Sequence, residues 1–112
     1  MAQTVRNITR DQVGKSGMVF QEHISLVNPD TVSDLLLLPA DHIYAIFASV
    51  GATGSLQWSF DDLATLNANT SVTWVTWNGT DPIPVGATAI QFTRSSGTVA
   101  CRLVVKTAGA GN

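Results

Sequence analysis

The residues of this chain that could do chemistry are few and scattered. Asp61 and Asp62 are the only adjacent carboxylates, His23 and His42 are the whole histidine inventory, and Cys101 is the only thiol. A general acid and base must be held apart across a cleft in different environments, which neighbours on one turn do not achieve. Asp61, Asp62 and Asp81 could offer loop oxygens to calcium; the ordinary reading is that they cap backbone amides in turns, and whether Asp61 and Asp62 bind an ion stays open. A zinc site would need a third ligand beside the two histidines, from Cys101 or a loop aspartate. Cys101 falls on the apolar side of an alternating run, where a free cysteine acts as a small hydrophobe. Asp41 and His42 read as a local hydrogen-bonded pair at the start of a strand. No catalytic, cofactor-binding or metal residue is therefore assigned, and no enzyme is expected.

The aromatic residues are the other candidates. Trp58, Trp74 and Trp77 with Tyr44 could stack on a sugar, fill a core or anchor a protein interface. Trp74 and Trp77 are three apart, so in a regular strand they point to opposite faces. Three sequons begin at Asn7, Asn69 and Asn78. They are discounted because no charged start followed by an apolar stretch marks a secretory signal.

The elements that must position these groups are strands. Leu56, Trp58 and Phe60 alternate with Gln57 and Ser59, the period of a strand with one face in a core. Met18 to Val27 sets Met18, Phe20, Ile24 and Leu26 on one face, interrupted by Glu22. Leu35 to Leu38 is a short apolar run stopped by Pro39. Ile43 to Val50 is apolar on both sides, which predicts a strand in mid-sheet with Phe47 in the core. Asp61 to Asn69 is short and rich in Asn and Asp, and is expected to be a loop or single turn. Val72 to Trp77, Ala87 to Thr93 and Val99 to Val105 complete the strands, the last with Val99, Cys101, Leu103 and Val105 on one face. Turn residues punctuate these runs. About eight strands at this spacing predict an all-β, single-domain antiparallel β-sandwich or jelly roll, closed around Phe47, Trp58, Ile90 and Leu103. Residues 1–17 are expected to form an N-terminal arm or loose first strand, 18–107 the sandwich, and 108–112 a flexible tail.

Composition bounds the function. The 112 residues suffice for one domain with its own core. The chain is 45% hydrophobic and only 12% charged, so its surface must be covered by Thr, Ser, Asn, Gly and apolar groups. Such a surface suits packing against neighbours. The net charge is −2 and six Lys and Arg are dispersed, so no basic stripe for nucleic acid exists. Leu35 to Leu38 is far too short to cross a bilayer, and no membrane partner is expected. With one cysteine, no disulfide forms within the chain.

The order of features from Asp41-His42 onward carries a resemblance. Ser49-Val50-Gly51 ends a small-residue strand. Ser55-Leu56-Gln57-Trp58-Ser59-Phe60-Asp61-Asp62 follows, then Val72-Thr73-Trp74, Gly86-Ala87-Thr88-Ala89-Ile90-Gln91-Phe92 and Ser95-Ser96-Gly97-Thr98-Val99. This resembles the small all-β virion-associated proteins of tailed bacteriophages. The resemblance implies a structural protein without catalytic residues that decorates or cements a capsid. It implies the major capsid protein and copies of itself, as a homo-trimer, for partners, and the virion surface after synthesis in the host cytoplasm. Proline commonly follows the Asp-Asp pair in such proteins, and Leu63 stands there in this chain. Val5, Ile8, Trp77, Ile83 and Val85 are the expected interface residues, with the N-terminal arm reaching onto a neighbour. The alternative is a tail- or fibre-associated module that recognises cell-surface carbohydrate.

Overall fold

A computed structural model describes residues 3–12, 18–40 and 42–108. The strands are β1 (Val5–Asn7), β2 (Thr9–Gln12), β3 (Met18–Leu26), β4 (Leu35–Leu37), β5 (Ile43–Val50), β6 (Gly54–Ser59), β7 (Val75–Thr76), β8 (Ala89–Arg94) and β9 (Val99–Thr107), with one helix, α1 (Leu63–Ala68), after β6. They form a five-stranded sheet in the order β1-β4-β8-β6-β7 and a four-stranded sheet in the order β2-β3-β9-β5. The chain is an all-β sandwich. All pairings within the sheets are antiparallel except that of β1 with β4.

β9 supplies the template for the four-stranded sheet. Val99, Cys101, Leu103, Val105 and Thr107 are buried while Ala100, Arg102 and Lys106 face out. Side chains of a strand alternate between faces, so this run fixes its register against both neighbours. Leu56, Ile90 and Phe92 meet it from the other sheet, and Ile8, Phe20, Leu26, Leu36 and Ile83 close the core around them. Glu22 does lie on the inward row of β3. Arg6 from the opposite sheet reaches it with an Nη2 hydrogen bond and donates from Nε to Asp34 Oδ2 at 2.6 Å. The two carboxylates push the Arg6 guanidinium pKa up, with the Glu22 hydrogen bond the largest cause.

The start of β6 leaves no room for a side chain at Gly54. A Cβ there would lie 2.5 Å from Val99 Cγ1 and 2.7 Å from the Thr93 carbonyl oxygen. Only glycine fits where β6 begins, immediately after the chain has crossed between sheets.

The five-stranded sheet is covered on its second face as well. Leu35, Leu66 and Ala89 form a smaller cluster there, with Val5, Leu37, Val72 and Trp74 packed against it. That explains the uninterrupted leucines of β4: Leu36 points into the sandwich while Leu35 and Leu37 point toward α1.

Three expectations change. Asp61 to Asn69 contains a helix, because the polar residues read as loop formers are its caps. Asp62 Oδ1 accepts from Thr65 N at 2.8 Å, and Asn69 closes the other end in the left-handed region at φ 51°. Leu63 is the first residue of that helix. β5 is not in mid-sheet but forms an edge of the four-stranded sheet. Its pairing with β9 shifts register between Ile43 and Ala45, so Ile46, Ala48 and Val50 turn inward. Phe47 is consequently 59% exposed rather than in the core. Within Val72 to Trp77, only Val75–Thr76 pairs as strand. Of the two readings of residues 1–17, an arm or a loose first strand, the described residues 3–12 take the second, as two short strands. β1 pairs with Leu35–Leu37, β2 pairs with β3, and buried Ile8 marks the corner where the chain passes from one sheet to the other. The rest of the expected arm, and residues 109–112 of the expected tail, lie outside the described residues.

Candidate functional site

The residues singled out for chemistry do not converge. Cys101 is buried on the inward face of β9, and desolvation pushes its thiol up to about 11. His23 is exposed on β3, where Ile24 rather than His23 pairs with Cys101. Alternation therefore places His23 and Cys101 on opposite faces of one sheet. His42 is exposed, and its carbonyl accepts from Ala108 N at 3.0 Å. Asp41, its expected partner, lies outside the described residues. Asp61 Oδ2 accepts from Thr73 N at 2.6 Å, and Asp81 Oδ2 accepts from Asn78 Nδ2 at 2.8 Å. These carboxylates serve turns and a helix cap, and no group of three potential metal ligands occurs among the described residues.

The hydrogen-bonds to the Asp62 carboxylate from Thr65, backbone first, hold its pKa below the usual range. The buried amide of Gln91 is also engaged. Its Nε2 donates to Gln57 Oε1 at 2.6 Å, and its Oε1 accepts from Gln3 Nε2 at 2.8 Å. Asn69 Nδ2 continues the chain of amides to Gln3 Oε1 at 2.8 Å. This ladder ties the N-terminal segment to the α1 C-cap and the five-stranded sheet, a structural use of polar groups.

The surface feature with the clearest physical character is an apolar cleft at one end of the sandwich. Its volume is about 490 Å³, and Leu38, Pro39, Ile43, Leu63, Leu66 and Val85 are among its lining residues. Asn7 and Thr88 are the polar members, and among the described residues no charged side chain lines it. The Thr88 hydroxyl already donates within the fold, at 2.7 Å from the Asp61 carbonyl. Leu63 and Val85 at the rim are exposed, as is Phe60, whose ring lies 3.6 Å from the position of a Cβ on Gly86. The lining comes from the end of β1, the β4–β5 connection, α1 and the segment before β8, so the sandwich brings four distant stretches to one hollow. Such a surface can bury apolar groups of a partner; it offers no acid, base or nucleophile.

A second, shallower hollow of about 280 Å³ runs between Trp58 and Trp77, with Thr76, Asn78, Asp81, Pro82 and Pro84 around it. Trp58 stacks edge-on against Phe60 with centroids 4.8 Å apart, and Trp77 Nε1 donates to the Asp81 carbonyl at 2.6 Å. Trp74 packs instead on the α1 side, so the three tryptophans do not make one platform. The opposite-face expectation for Trp74 and Trp77 holds.

The five expected interface residues are therefore dispersed. Ile8 and Ile83 are buried in the core between the sheets. Val5 and Trp77 are half-buried, each packed on one of the two clusters. Only Val85 stands exposed, at the rim of the apolar cleft. Phe60 and Leu63 were missed because alternation assigned the first to the core and the Asp-rich context assigned the second to a loop. In comparisons with known proteins, no family model, no curated protein and no solved structure matches this chain.

Proposed function

We propose that this chain is a non-enzymatic bacteriophage virion structural protein, a decoration or cement protein that binds and stabilises the capsid shell. The reading is supported by the resemblance in the order of its sequence features. The observation that carries it is the apolar cleft rimmed by exposed Leu63 and Val85, with exposed Phe60 next to its lining residue Gly86 and no charged side chain among the described lining residues, on a chain with only 12% charged residues. Contiguous exposed apolar surface of this kind marks interaction sites. The cleft would take an apolar side chain of the major capsid protein, and the rim would be buried around it. A protein that binds only the mature shell stabilises that shell by linkage. Because residues 3–12 belong to the sheets, contact is assigned to the cleft and not to an extended arm.

The test is occupancy on purified shells, read by co-sedimentation and by thermal release of the shell contents. The parent should bind and raise the release temperature, and the Leu63→Glu, Val85→Glu pair should lose most of the binding while remaining folded. Binding undiminished in that double variant would refute the assignment.

The hollow between Trp58 and Trp77 favours a second reading, a tail- or fibre-associated module for cell-surface carbohydrate. Aromatic faces beside the Asn78 and Asp81 groups are the chemistry that would recognise a sugar. A glycan array with the parent and a folded Trp77→Ala variant decides it.

A further inference from the structure

Each sheet of a sandwich has two edges, and an unguarded edge pairs with another chain. Three of the four edges are guarded. β1 has three residues and carries Arg6, β7 has two residues, and β2 (Thr9–Gln12) has only four. The fourth edge, β5, is eight residues long and reads Ile-Tyr-Ala-Ile-Phe-Ala-Ser-Val, without a charge, a proline or a glycine. A register shift disturbs it only at its start, between Ile43 and Ala45.

The hydrogen-bond parity of β5 says which groups are free. Gly51 N donates to the Ala100 carbonyl at 3.0 Å, in line with the pairs Ser49↔Arg102 and Phe47↔Val104. In an antiparallel ladder alternate residues bond to the same neighbour. The N–H and C=O of Ile46 and Ala48 therefore point away from β9, and no described residue hydrogen-bonds them. The side chain between them, Phe47, is 59% exposed on the outer face of the sheet, and Tyr44, at the register shift near the start of the strand, is 56% exposed.

We propose that β5 pairs antiparallel with β5 of a second copy of this chain, about a two-fold axis at Phe47, joining two four-stranded sheets into one of eight. Ile46 of each copy exchanges hydrogen bonds with Ala48 of the other. Phe47 then faces Phe47 across the axis in a non-hydrogen-bonded position, where Cα atoms lie about 4.5 Å apart and side chains are closest. The edge is self-complementary because it lacks charge, so two-fold juxtaposition brings no like charges together. Phe47 and Tyr44 offer roughly 200 Å² each when fully buried, or about 460 Å² of still-exposed aromatic surface over both copies. That is near half of the ~1,000 Å² a specific contact needs, and the paired backbones with Ser49, Arg102 and Val104 contribute further. The pairing is accordingly a weak, concentration-dependent dimer, and it does not depend on the virion reading.

Sedimentation velocity of the full chain over a concentration series tests it. The parent should shift from monomer to dimer. Ala48→Pro, which removes an N–H that points out of the sheet, and Phe47→Lys should each remain folded by near-ultraviolet circular dichroism and sediment as monomers. Phe47→Cys should form a disulfide-linked dimer under mild oxidation, since a separation of about 4.5 Å suits a disulfide, while Ala100→Cys on the outer face of β9 should not. A parent that stays monomeric to about 1 mM, a trimer, or a dimer that survives both Ala48→Pro and Phe47→Lys would each overturn the proposal.

Discussion

Replacing Gly54 by alanine tests whether the two sheets close as described. The new methyl group would sit 2.5 Å from Val99 Cγ1, 2.7 Å from the Thr93 carbonyl oxygen and 3.0 Å from Val50 Cγ2. Ordinary carbon contacts lie near 3.5–4.0 Å, or about 1 Å or more farther than the closest of these. Val99 can turn its side chain, but Thr93 belongs to β8 and its carbonyl is fixed by the ladder in which Gly54 pairs with Arg94. Overpacking of this kind costs about 1–3 kcal/mol, and a clash with immobile backbone belongs at the upper end. Alanine also narrows the unfolded ensemble, which returns about 0.5–1 kcal/mol. The net expectation is a loss of about 2 kcal/mol, or roughly 10 °C in melting temperature for a chain of this size.

Urea unfolding followed by tryptophan fluorescence measures the change directly. Adding Val99→Ala removes one of the three clashes, so the double variant should be less destabilised than the sum of the singles by about 1 kcal/mol. A Gly54→Ala protein within about 0.5 kcal/mol of the parent would refute the close approach of β6 to β9.

The remaining predictions concern individual side chains. Arg6→Ala should destabilise by about 1–2 kcal/mol, because Arg6 makes charge-assisted bonds to Glu22 across the sheets and to Asp34 beside the neighbouring strand β4. Lysine should not restore the loss, since it lacks the planar fork; chemical denaturation of the three proteins checks both points. Cys101 should react with a thiol reagent only on unfolding, as burial excludes the reagent and raises the pKa to about 11 from 9.0. The folded state then holds the thiol proton more tightly than the unfolded state does. Its contribution is intact below the unfolded value and is lost as pH rises from about 9 to 11, at roughly 1.4 kcal/mol per pH unit. Cys101→Ala should show a shallower alkaline loss of stability over that interval. Thr107 Oγ1 is buried and finds no hydrogen-bond partner among the described residues; Thr107→Val should therefore raise stability by about 1 kcal/mol, measured by urea unfolding.

How the sequence relates to this fold is clearest in β9 and β5. In β9 every second residue from Val99 to Val105 is apolar and buried, so alternation alone identified the strand, its inward face and the fate of Cys101. β5 is apolar throughout, and period two cannot choose between two equally apolar rows. Its inward row was decided by the register shift after Ile43, which turned Phe47 out and Ile46 in. The helix α1 was hidden for a related reason: Asp62 and Asn69 are both loop formers and helix caps, and only the burial of Leu66 beneath them distinguishes the two roles.

Composition and alternation by themselves determined an all-β domain and the inward row of β9, because burial of one face leaves its mark every second residue; in β6 the same pattern overran the strand end and put exposed Phe60 in the core. Strand order leaves no such mark. That β5 is an edge, that Ile8 and Ile83 are core, and that Leu63, Val85 and Ile43 share one apolar cleft depend on which strands become neighbours. Those adjacencies are set by the packing of segments far apart in the chain, and a local pattern of hydrophobicity is the same whichever neighbour it meets.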